Sequence, residues 1–444
     1  MMVNTSITTT RGHVHASVHA HSPRGMMHPP SVTLSRHSVI IPQASSFSSS
    51  YDDRRKPSRL ILGTMTFGND KGAALSSNLG TRSETTIRRT CHHKTSVNQA
   101  TTLSGPSSTH EQAAHRLMAV AYHECNIQRL DTAEMYPSPC APHNSGETER
   151  IIGRFLRENP SCEMQITTKV TGPASMPWIR NGPTGLSVDD ICEAIDGSLA
   201  RLQTDHVHTL LLHWPDRYVP SLFGYAVASS DGEPTTHQGY VDTNDYGVNT
   251  PVEEQVHVLA KLVAAGKTKY VGLSNETAYG ITAFDAVAQS EASIAVVSNA
   301  YSLLNRTVAT HGVLEACKRC GVLHHGYSPL ANGRLGDGKE DIADRDDDVI
   351  LDPEDVARYD IERKPNAKRA LAAYARLARE SGMRLPQMAL RFALSRGACD
   401  SVVIGPRDEH ELRELCRWHD EGALPADVLL EIDRVNDRYP SPCP

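Results

Sequence analysis

Short apolar runs alternate with segments of helical periodicity along most of this chain. Residues 60–63 form an apolar run that ends at Gly63, a pattern typical of a buried strand. Further runs of the same kind predict strands at Ile127–Leu130, Met164–Thr168, Val207–Leu212, Lys269–Gly272, Ala295–Ser298, Val322–His325 and Ser401–Ile404. Short apolar strands that alternate with helices favour a parallel sheet.

The segments between these runs predict helices, of which Val188–Leu202 is the clearest. Ser187 stands before it as an N-cap, and Asp190 follows three residues later. Its apolar residues recur on one face, at Ile191, Ile195, Leu199 and Leu202. The segment Pro425–Val435 predicts an extra helix on the outside of the fold.

Eight strands are the number that closes as a (β/α)8 TIM barrel, so we expect this α/β fold. An open doubly wound sheet is the alternative, but no G-x-G-x-x-G motif follows the first strand. Long connections after the fourth strand (215–250) and the seventh (327–365) lie where a barrel builds its catalytic face.

Two polar stretches do not fit the barrel pattern. Residues 1–57 are expected to be a disordered leader, and residues 1–50 contain no Asp or Glu. Their Arg, Ser and Thr content resembles an organelle transit peptide, plastid or mitochondrial. Within the barrel, expected over 58–440, the stretch 71–108 is predicted to be a disordered insertion that acts as a lid, is an inert loop, or reflects a flawed gene model.

Composition narrows the class of partner. The 444 residues carry a net charge of −7, which argues against nucleic acid as the main partner. No apolar stretch approaches the roughly 18 to 20 residues of a membrane span, so we expect a soluble protein. The 10 scattered cysteines suggest reduced thiols of an intracellular protein, in the cytoplasm or in an organelle. Cys317 and Cys320 form a lone C-x-x-C with no second pair at zinc spacing, and Cys91, His92 and His93 lie together in a polar stretch, so no metal site is expected.

Reactive side chains stand just beyond successive predicted strands. Asp131 and Tyr136 follow the second strand, Lys169 ends the third, and His213 ends the fourth. A parallel barrel brings these strand ends together around one pocket. Trp214 follows His213, and Ser274 with Asn275 follows the fifth strand.

These residues suit the reduction of a carbonyl group. Hydride addition creates an alkoxide, which needs a proton donor and a polarising group. Tyr136 could donate the proton if a neighbouring ammonium, that of Lys169, stabilised its phenolate. Asp131 could hold the lysine, and a neutral His213 could orient the carbonyl oxygen. The structural alternative is an ion pair at the barrel rim beside a packed tyrosine and histidine.

Several stretches resemble the aldo-keto reductase superfamily, nearest to its tas-type branch, which is related to the potassium-channel β subunits. They are LGTMTFG (62–68), LDTAEMYP (130–137), SLARLQTD (198–205), LHWP (212–215), GLSNETA (272–278) and YSLLNR (301–306). The resemblance implies a (β/α)8 barrel, NADPH bound at its C-terminal face, and Tyr136 as the proton donor.

The resemblance also implies positions for the cofactor. Ser274 and Asn275 match residues that bind the nicotinamide carboxamide, and Tyr327 matches the aromatic residue that stacks on the ring. Arg407 lies where the 2′-phosphate is held, which would favour NADPH over NADH. The remaining cofactor candidates are Thr64, Met65, Ser298, Ser328, Leu330, Gly333 and Lys339, and Trp214 would line the substrate pocket.

Three positions depart from the family pattern. Ser298 stands where Gln is usual, so a contact to the carboxamide would be lost or bridged by water. Glu411 and Leu415 replace residues that are often basic or amide-bearing and that contact the adenosine end. These departures weaken the expected preference for NADPH.

The sequence therefore predicts an NADPH-dependent reductase of aldehydes or ketones, with a small carbonyl compound as its substrate. The alternative is a redox-sensing or regulatory protein that binds NADPH with little turnover. A metal-dependent barrel hydrolase is a third possibility, but only His213 and Asp131 would suit it. The oligomeric state, monomer or homo-oligomer, and the identity of the substrate stay open.

Overall fold

A computed structural model describes most of the chain beyond the leader. The described residues are 58–68, 107–174, 176–217, 219, 250–288, 292–336 and 365–443. The leader, the insertion up to residue 106, and the segments Cys91–His93 and Lys339 lie outside them. The expectations about disorder, targeting and a lid therefore stay predictions.

Parallel strands form a closed barrel in which each strand pairs with its neighbours in the sequence and β1 pairs with β8. The strands are β1 (Leu60–Gly63), β2 (Arg129–Asp131), β3 (Gln165–Val170), β4 (Val207–Leu212), β5 (Thr268–Ser274), β6 (Ile294–Ala300), β7 (Leu323–Tyr327) and β8 (Ser401–Ile404). The predicted (β/α)8 barrel is confirmed.

Helices follow the strands and cover the barrel. They are α1 (Ser107–His123), α2 (Glu147–Glu158), α3 (Val188–Leu202), α4 (Val252–Ala264), α5 (Ala278–Ala288), α6 (Thr307–Thr310), α7 (Val313–Cys320), α8 (Pro365–Glu380), α9 (Leu385–Leu394), α10 (Glu409–Asp420) and α11 (Ala426–Arg438). No helix among the described residues is long and apolar enough to cross a membrane.

Local sequence signals explain where particular helices begin. At α3, the Ser187 hydroxyl accepts a hydrogen bond from the backbone N–H of Asp190, and the Asp190 carboxylate accepts one from the N–H of Ser187. This reciprocal capping box satisfies backbone donors that the first turn leaves free. At α11, Pro425 is the N-cap, as its fixed φ allows. The prediction of a C-terminal helix is confirmed, with its end at Arg438.

The apolar core fills the space between the barrel wall and the helices. Leu62, Leu130, Leu212 and Ile404 are almost fully buried there, each near the carboxyl end of its strand. A close approach of β5 to β6 requires a glycine, because a Cβ at Gly272 would lie 2.3 Å from the carbonyl oxygen of Val296. Because the strands are parallel and the barrel is closed, their carboxyl ends surround one opening, and the predicted site residues at the strand ends lie around it.

Candidate functional site

A buried ion pair joins the ends of β2 and β3. The Lys169 Nζ donates to Asp131 Oδ1 at 2.6 Å and to the carbonyl oxygen of Thr132 at 2.7 Å. The side chain of Lys169 is 4% exposed and that of Asp131 is 11% exposed. Burial of an ammonium is costly unless it is paired and hydrogen-bonded, and here both conditions hold. The lysine head group is therefore fixed in one position.

Tyr136 lies beside this ammonium, five residues after the end of β2. The Lys169 Nζ is 5.0 Å from the centroid of its ring. On another side, the Tyr136 ring meets the His213 ring edge to face, with centroids 5.8 Å apart and planes at 75°. The structure thus brings Asp131, Tyr136, Lys169 and His213 together, as the sequence predicts.

His213 follows β4 directly and is buried. Burial, aided by the positive charge of Lys169, lowers the pKa of His213 well below its usual range. The imidazole is therefore neutral near pH 7. Its Nδ1 has no hydrogen-bond partner among the described residues, although it is buried. Asn275 Nδ2 donates to the backbone oxygen of His213 at 2.8 Å and so links β4 to β5.

Trp214 and its neighbours form an apolar wall next to the histidine. The Trp214 ring lies 4.9 Å from the His213 ring, and its Nε1 donates to the carbonyl oxygen of Pro173 at 3.1 Å. The indole packs in a small cluster with Ala133, Met135 and Ile179. Loops after β2, β3 and β4 therefore contribute to one surface beside Tyr136.

The ends of β5, β6 and β7 carry a hydrogen-bonded polar network. Tyr327 OH donates to Asn275 Oδ1 at 2.5 Å, and Asn275 Nδ2 also donates to Ser274 Oγ at 3.1 Å. Ser274 Oγ in turn donates to the carbonyl oxygen of Ser298 at 3.1 Å. Asn275 adopts a left-handed φ of 57°, a conformation in which asparagine is more frequent than most other residues. The structure thus brings Ser274, Asn275, Ser298 and Tyr327 together.

Other predicted cofactor residues stand at the same rim. Thr64, directly after β1, donates from Oγ1 to the carbonyl oxygen of Asp131 at 2.9 Å. Met65 is 37% exposed, and its carbonyl oxygen accepts from the N–H of Ser138.

Beyond β7, the chain turns sharply through Ser328, Leu330 and Gly333. Ser328 and Gly333 have positive φ, and the N–H of Leu335 donates to the carbonyl oxygen of Leu330. Lys339, the next predicted residue of this loop, lies outside the described residues.

Arg407 lies just before α10 and is engaged within the chain. Its backbone N–H and its Nε donate to Glu411 Oε2, at 2.7 and 3.1 Å. The Arg407 side chain is nevertheless 61% exposed. Leu415, one turn further along, is buried in the core at 1% exposure. Of the two departures in α10, only Glu411 is therefore available to a ligand.

A second buried ion pair beside the site has no counterpart in the sequence predictions. Glu134 lies 3.3 Å from Arg180 Nη2, and its Oε1 accepts from the N–H of Thr171 at 2.5 Å. Burial raises the pKa of Glu134, and Arg180 opposes that rise. This pair ties the loop after β2 to the loop after β3. Glu134 lies in the quoted stretch 130–137, but Arg180 lies in an irregular loop whose sequence gives no periodic signal.

Among the described residues, no group of His, Cys, Asp and Glu could hold a metal ion. Cys317 is buried among apolar side chains of α7, and burial raises its pKa to about 12. Packing therefore explains the position of this cysteine.

This barrel, with polar side chains gathered at the carboxyl ends of its strands, matches a known class of enzyme. The model of the aldo/keto reductase family matches residues 99–437. The chain belongs to this family of oxidoreductases, which act on carbonyl compounds with a nicotinamide cofactor.

Individual relatives place the chain near the tas-type branch. "Protein tas" of Escherichia coli is 32% identical over 72% of this chain and 88% of its own length. An "Aldo-keto reductase" of Babesia bovis is 36% identical over 56% of this chain and 87% of its own length. The "NADH-specific methylglyoxal reductase" of E. coli is 26% identical over 48% of this chain and 55% of its own length. The predicted resemblance is confirmed, and family membership argues against a metal-dependent hydrolase.

Proposed function

We propose that the protein reduces aldehyde or ketone carbonyls with NADPH and that Tyr136 is the proton donor. The observation that carries the proposal is the packing of Tyr136 between the Lys169 ammonium and the neutral imidazole of His213. A bound nicotinamide would supply the hydride. The protein would supply the proton donor and the polarising group that the developing alkoxide needs.

Lys169 and Asp131 act on the tyrosine. The ammonium favours the phenolate over the phenol because opposite charges stabilise each other at short range. Asp131 and the Thr132 carbonyl hold that ammonium in place, so little reorganisation is needed when Tyr136 gives up its proton. The proton passes from the Tyr136 hydroxyl to the substrate oxygen.

His213 acts on the substrate. Its lowered pKa keeps the ring neutral, so it carries one N–H that can donate to the carbonyl oxygen without adding a charge. Trp214 and the apolar wall exclude water from the same space. A neutral donor next to Lys169 also avoids a second positive charge at the site.

The polar network at β5 to β7 fits a nicotinamide. A carboxamide presents one acceptor and two donors, and Asn275 and Ser274 offer both kinds of group within 3.1 Å of each other. Tyr327 supplies an aromatic ring at the same rim. Thr64, Met65, Ser298, Ser328, Leu330, Gly333 and Lys339 complete the proposed cofactor site.

The test is a comparison of Tyr136→Phe with Tyr279→Phe. Tyr279 is 69% exposed on α5, so its loss should leave turnover unchanged. Loss of the proton donor should lower kcat by about 10²- to 10⁴-fold. The measurement is the rate of NADPH oxidation, followed by the absorbance of the reduced cofactor, with a panel of aldehydes and ketones. If Tyr136→Phe turned over as fast as Tyr279→Phe, Tyr136 would not be the proton donor.

The cofactor preference rests on Arg407 and Glu411. A 2′-phosphate would have to compete with the Glu411 carboxylate for the guanidinium. We therefore expect Glu411→Gln to lower KM for NADPH and to leave KM for NADH unchanged. A charge-assisted hydrogen bond contributes about 1.5–3 kcal/mol, so Arg407→Ala should raise KM for NADPH by roughly 10- to 100-fold. Equal effects on both cofactors would contradict a phosphate contact at Arg407.

The second candidate function is a regulatory protein that binds NADPH with little turnover. It is favoured by Ser298, whose short side chain stands where the family usually has Gln. Tight NADPH binding, measured by fluorescence, without turnover on any carbonyl of the panel would support this candidate. Multiple turnovers would exclude it.

A further inference from the structure

A salt bridge joins the loops that follow β4 and β5, next to the polar network at the barrel mouth. Arg217 donates from Nη1 to Glu276 Oε2 at 2.8 Å and from Nη2 to Glu276 Oε1. The side chain of Glu276 is 2% exposed and that of Arg217 is 21% exposed. Arg217 Nη2 also donates to Thr277 Oγ1 at 3.1 Å. The contact is therefore bidentate and largely shielded from water.

The backbone of Glu276 is held as firmly as its side chain. Its N–H donates to Asn299 Oδ1 at 3.1 Å, and its carbonyl oxygen accepts from Asn299 Nδ2 at 2.8 Å. The N–H of Thr277 donates to Glu276 Oε1 at 2.6 Å. Gly280, in the first turn of α5, lies so close that an added Cβ would clash with the Glu276 carboxylate. Glu276 is thus fixed from several directions.

Asn275, the residue before Glu276, depends on such support. Its φ of 57° lies in the left-handed region, which a residue other than glycine keeps only where the surrounding structure holds it. Its N–H donates to the carbonyl oxygen of Ser298 at 2.9 Å, and its Nδ2 donates to the backbone oxygen of His213 at 2.8 Å. The salt bridge connects the same two loops, since Arg217 follows His213 and Glu276 follows Asn275.

We propose that Arg217 and Glu276 are positioning residues for the nicotinamide end of the cofactor. They act through Asn275 and Ser274, whose side chains form the proposed carboxamide site. The inference rests on that proposed cofactor site. It adds two residues from the loops after β4 and β5 that fix the site in place.

Loss of the arginine shows how the pair would act. Without Arg217, the Glu276 carboxylate would be buried without its cation. An unpaired buried charge is costly, so the carboxylate would turn toward water and draw the adjacent backbone with it. Asn275 would then leave the conformation in which its amide faces the carboxamide.

The experiment measures the dissociation constants of NADPH and NADH for the full-length protein by cofactor fluorescence, at a temperature where each variant is folded. Arg217→Met should raise both constants by roughly 3- to 10-fold, the effect of losing about one neutral hydrogen bond. The carboxamide is common to the two cofactors, so the factors should be equal. Arg407→Ala should weaken NADPH alone. Unchanged constants in Arg217→Met would overturn the proposal.

Arg201→Met is the matched control. Arg201 Nε donates to Glu149 Oε2 at 2.7 Å, between α3 and α2, and the two side chains are 23% and 0% exposed. This pair therefore has nearly the same burial as the pair of Arg217 with Glu276. Arg201→Met should lower stability and leave both dissociation constants unchanged. An equal rise in both variants would indicate general loosening of the fold and would also overturn the proposal.

A double variant keeps the test decisive if Arg217→Met folds poorly. Arg217→Met with Glu276→Gln removes both charges, so stability should recover relative to Arg217→Met. The bidentate link is still absent, so both dissociation constants should stay raised. Their return to the wild-type values would assign the pair to stability alone and refute a positioning role. These measurements need no turnover, so they hold even if Tyr136→Phe shows that Tyr136 is not the proton donor.

Discussion

Asp131→Asn tests how much the buried ion pair contributes to stability, because it leaves the other side chains of the site unchanged. The substitution removes the negative charge opposite Lys169 and keeps the shape of the side chain. The ammonium stays 4% exposed, where water can do little to compensate. It keeps the Thr132 carbonyl at 2.7 Å, and the new amide oxygen can still accept a hydrogen bond.

The structure sets the size of the effect. Removal of one partner from a buried pair costs about 3–5 kcal/mol, because the remaining charge is left in a poor environment. Since two acceptors remain around Lys169, the lower end applies. We expect the free energy of unfolding to fall by about 3 kcal/mol. A domain with a stability of about 5–15 kcal/mol stays folded after such a loss.

A surface pair of the same chemistry provides the control. Lys267 pairs with Asp196, but their side chains are 35% and 57% exposed. Such pairs contribute about 0.2–1 kcal/mol, so Asp196→Asn should shift the urea midpoint little. The assay is urea unfolding of wild type and both variants at pH 7, with m compared between them. Equal midpoints for Asp131→Asn and Asp196→Asn would refute the argument that burial makes the first pair costly to break.

Two further predictions concern stability. Burial lowers the pKa of four described histidines below 6.5, and that of His208 to about 4; they are His208, His213, His324 and His325. Below pH 6.5 the unfolded chain therefore takes up protons that the folded protein does not, so stability should be highest above pH 6.5 and fall as the pH drops from there, by up to about 2 kcal/mol for each histidine between pH 7 and pH 5. Urea unfolding at both pH values measures this, and an unchanged midpoint at pH 5 would contradict it. Gly272→Ala should lower the free energy of unfolding by about 1–3 kcal/mol, because the new Cβ would lie 2.3 Å from a β6 carbonyl oxygen. A Cβ at Gly405 would have no heavy atom within 4 Å, so Gly405→Ala should change stability by no more than about 0.5 kcal/mol. Similar melting temperatures for the two variants would count against the clash.

The apolar pattern predicts strands well where burial and pairing coincide. Val207–Leu212 and Ser401–Ile404 have the predicted bounds, since their apolar residues are also the paired ones. At β2, the buried residues and the residues paired in the strand are not the same. Ile127 is fully buried, but the strand begins only at Arg129, so the predicted start was two residues early. Burial of a side chain on the way into a strand gives the same sequence signal as the strand itself.

Strand ends are missed where polar residues continue the ladder. β6 runs to Ala300 rather than to Ser298, because Asn299 pairs with Gly326. Asn299 is polar for a different reason: its amide exchanges hydrogen bonds with the backbone of Glu276. Asn299, a polar residue inside β6, thus contacts the chain just beyond the end of β5. Single-sequence periodicity has no means of recognising such a contact.

Candidate site residues could be predicted because barrel geometry makes strand ends converge, whatever the loops do. Asp131, Lys169 and His213 each stand at or next to the end of a strand. The partners of those residues are harder to predict. Arg180 reaches Glu134 from a loop in which it adopts a φ of 49°, and only the folded chain shows that approach.

The two halves of the barrel mouth differ in how firmly their charges are held. In the half at β2 to β4, the Lys169 ammonium is buried and bound by two oxygens, so water cannot replace a partner that a substitution removes. In the other half, the guanidinium of Arg407 is 61% exposed and binds Glu411 from its own chain. An exposed pair exchanges partners at little cost, since water screens both states. Under the proposed function, substitutions at Arg407 and Glu411 should therefore alter the choice of cofactor while turnover persists, whereas substitutions around Lys169 should lower turnover with either cofactor.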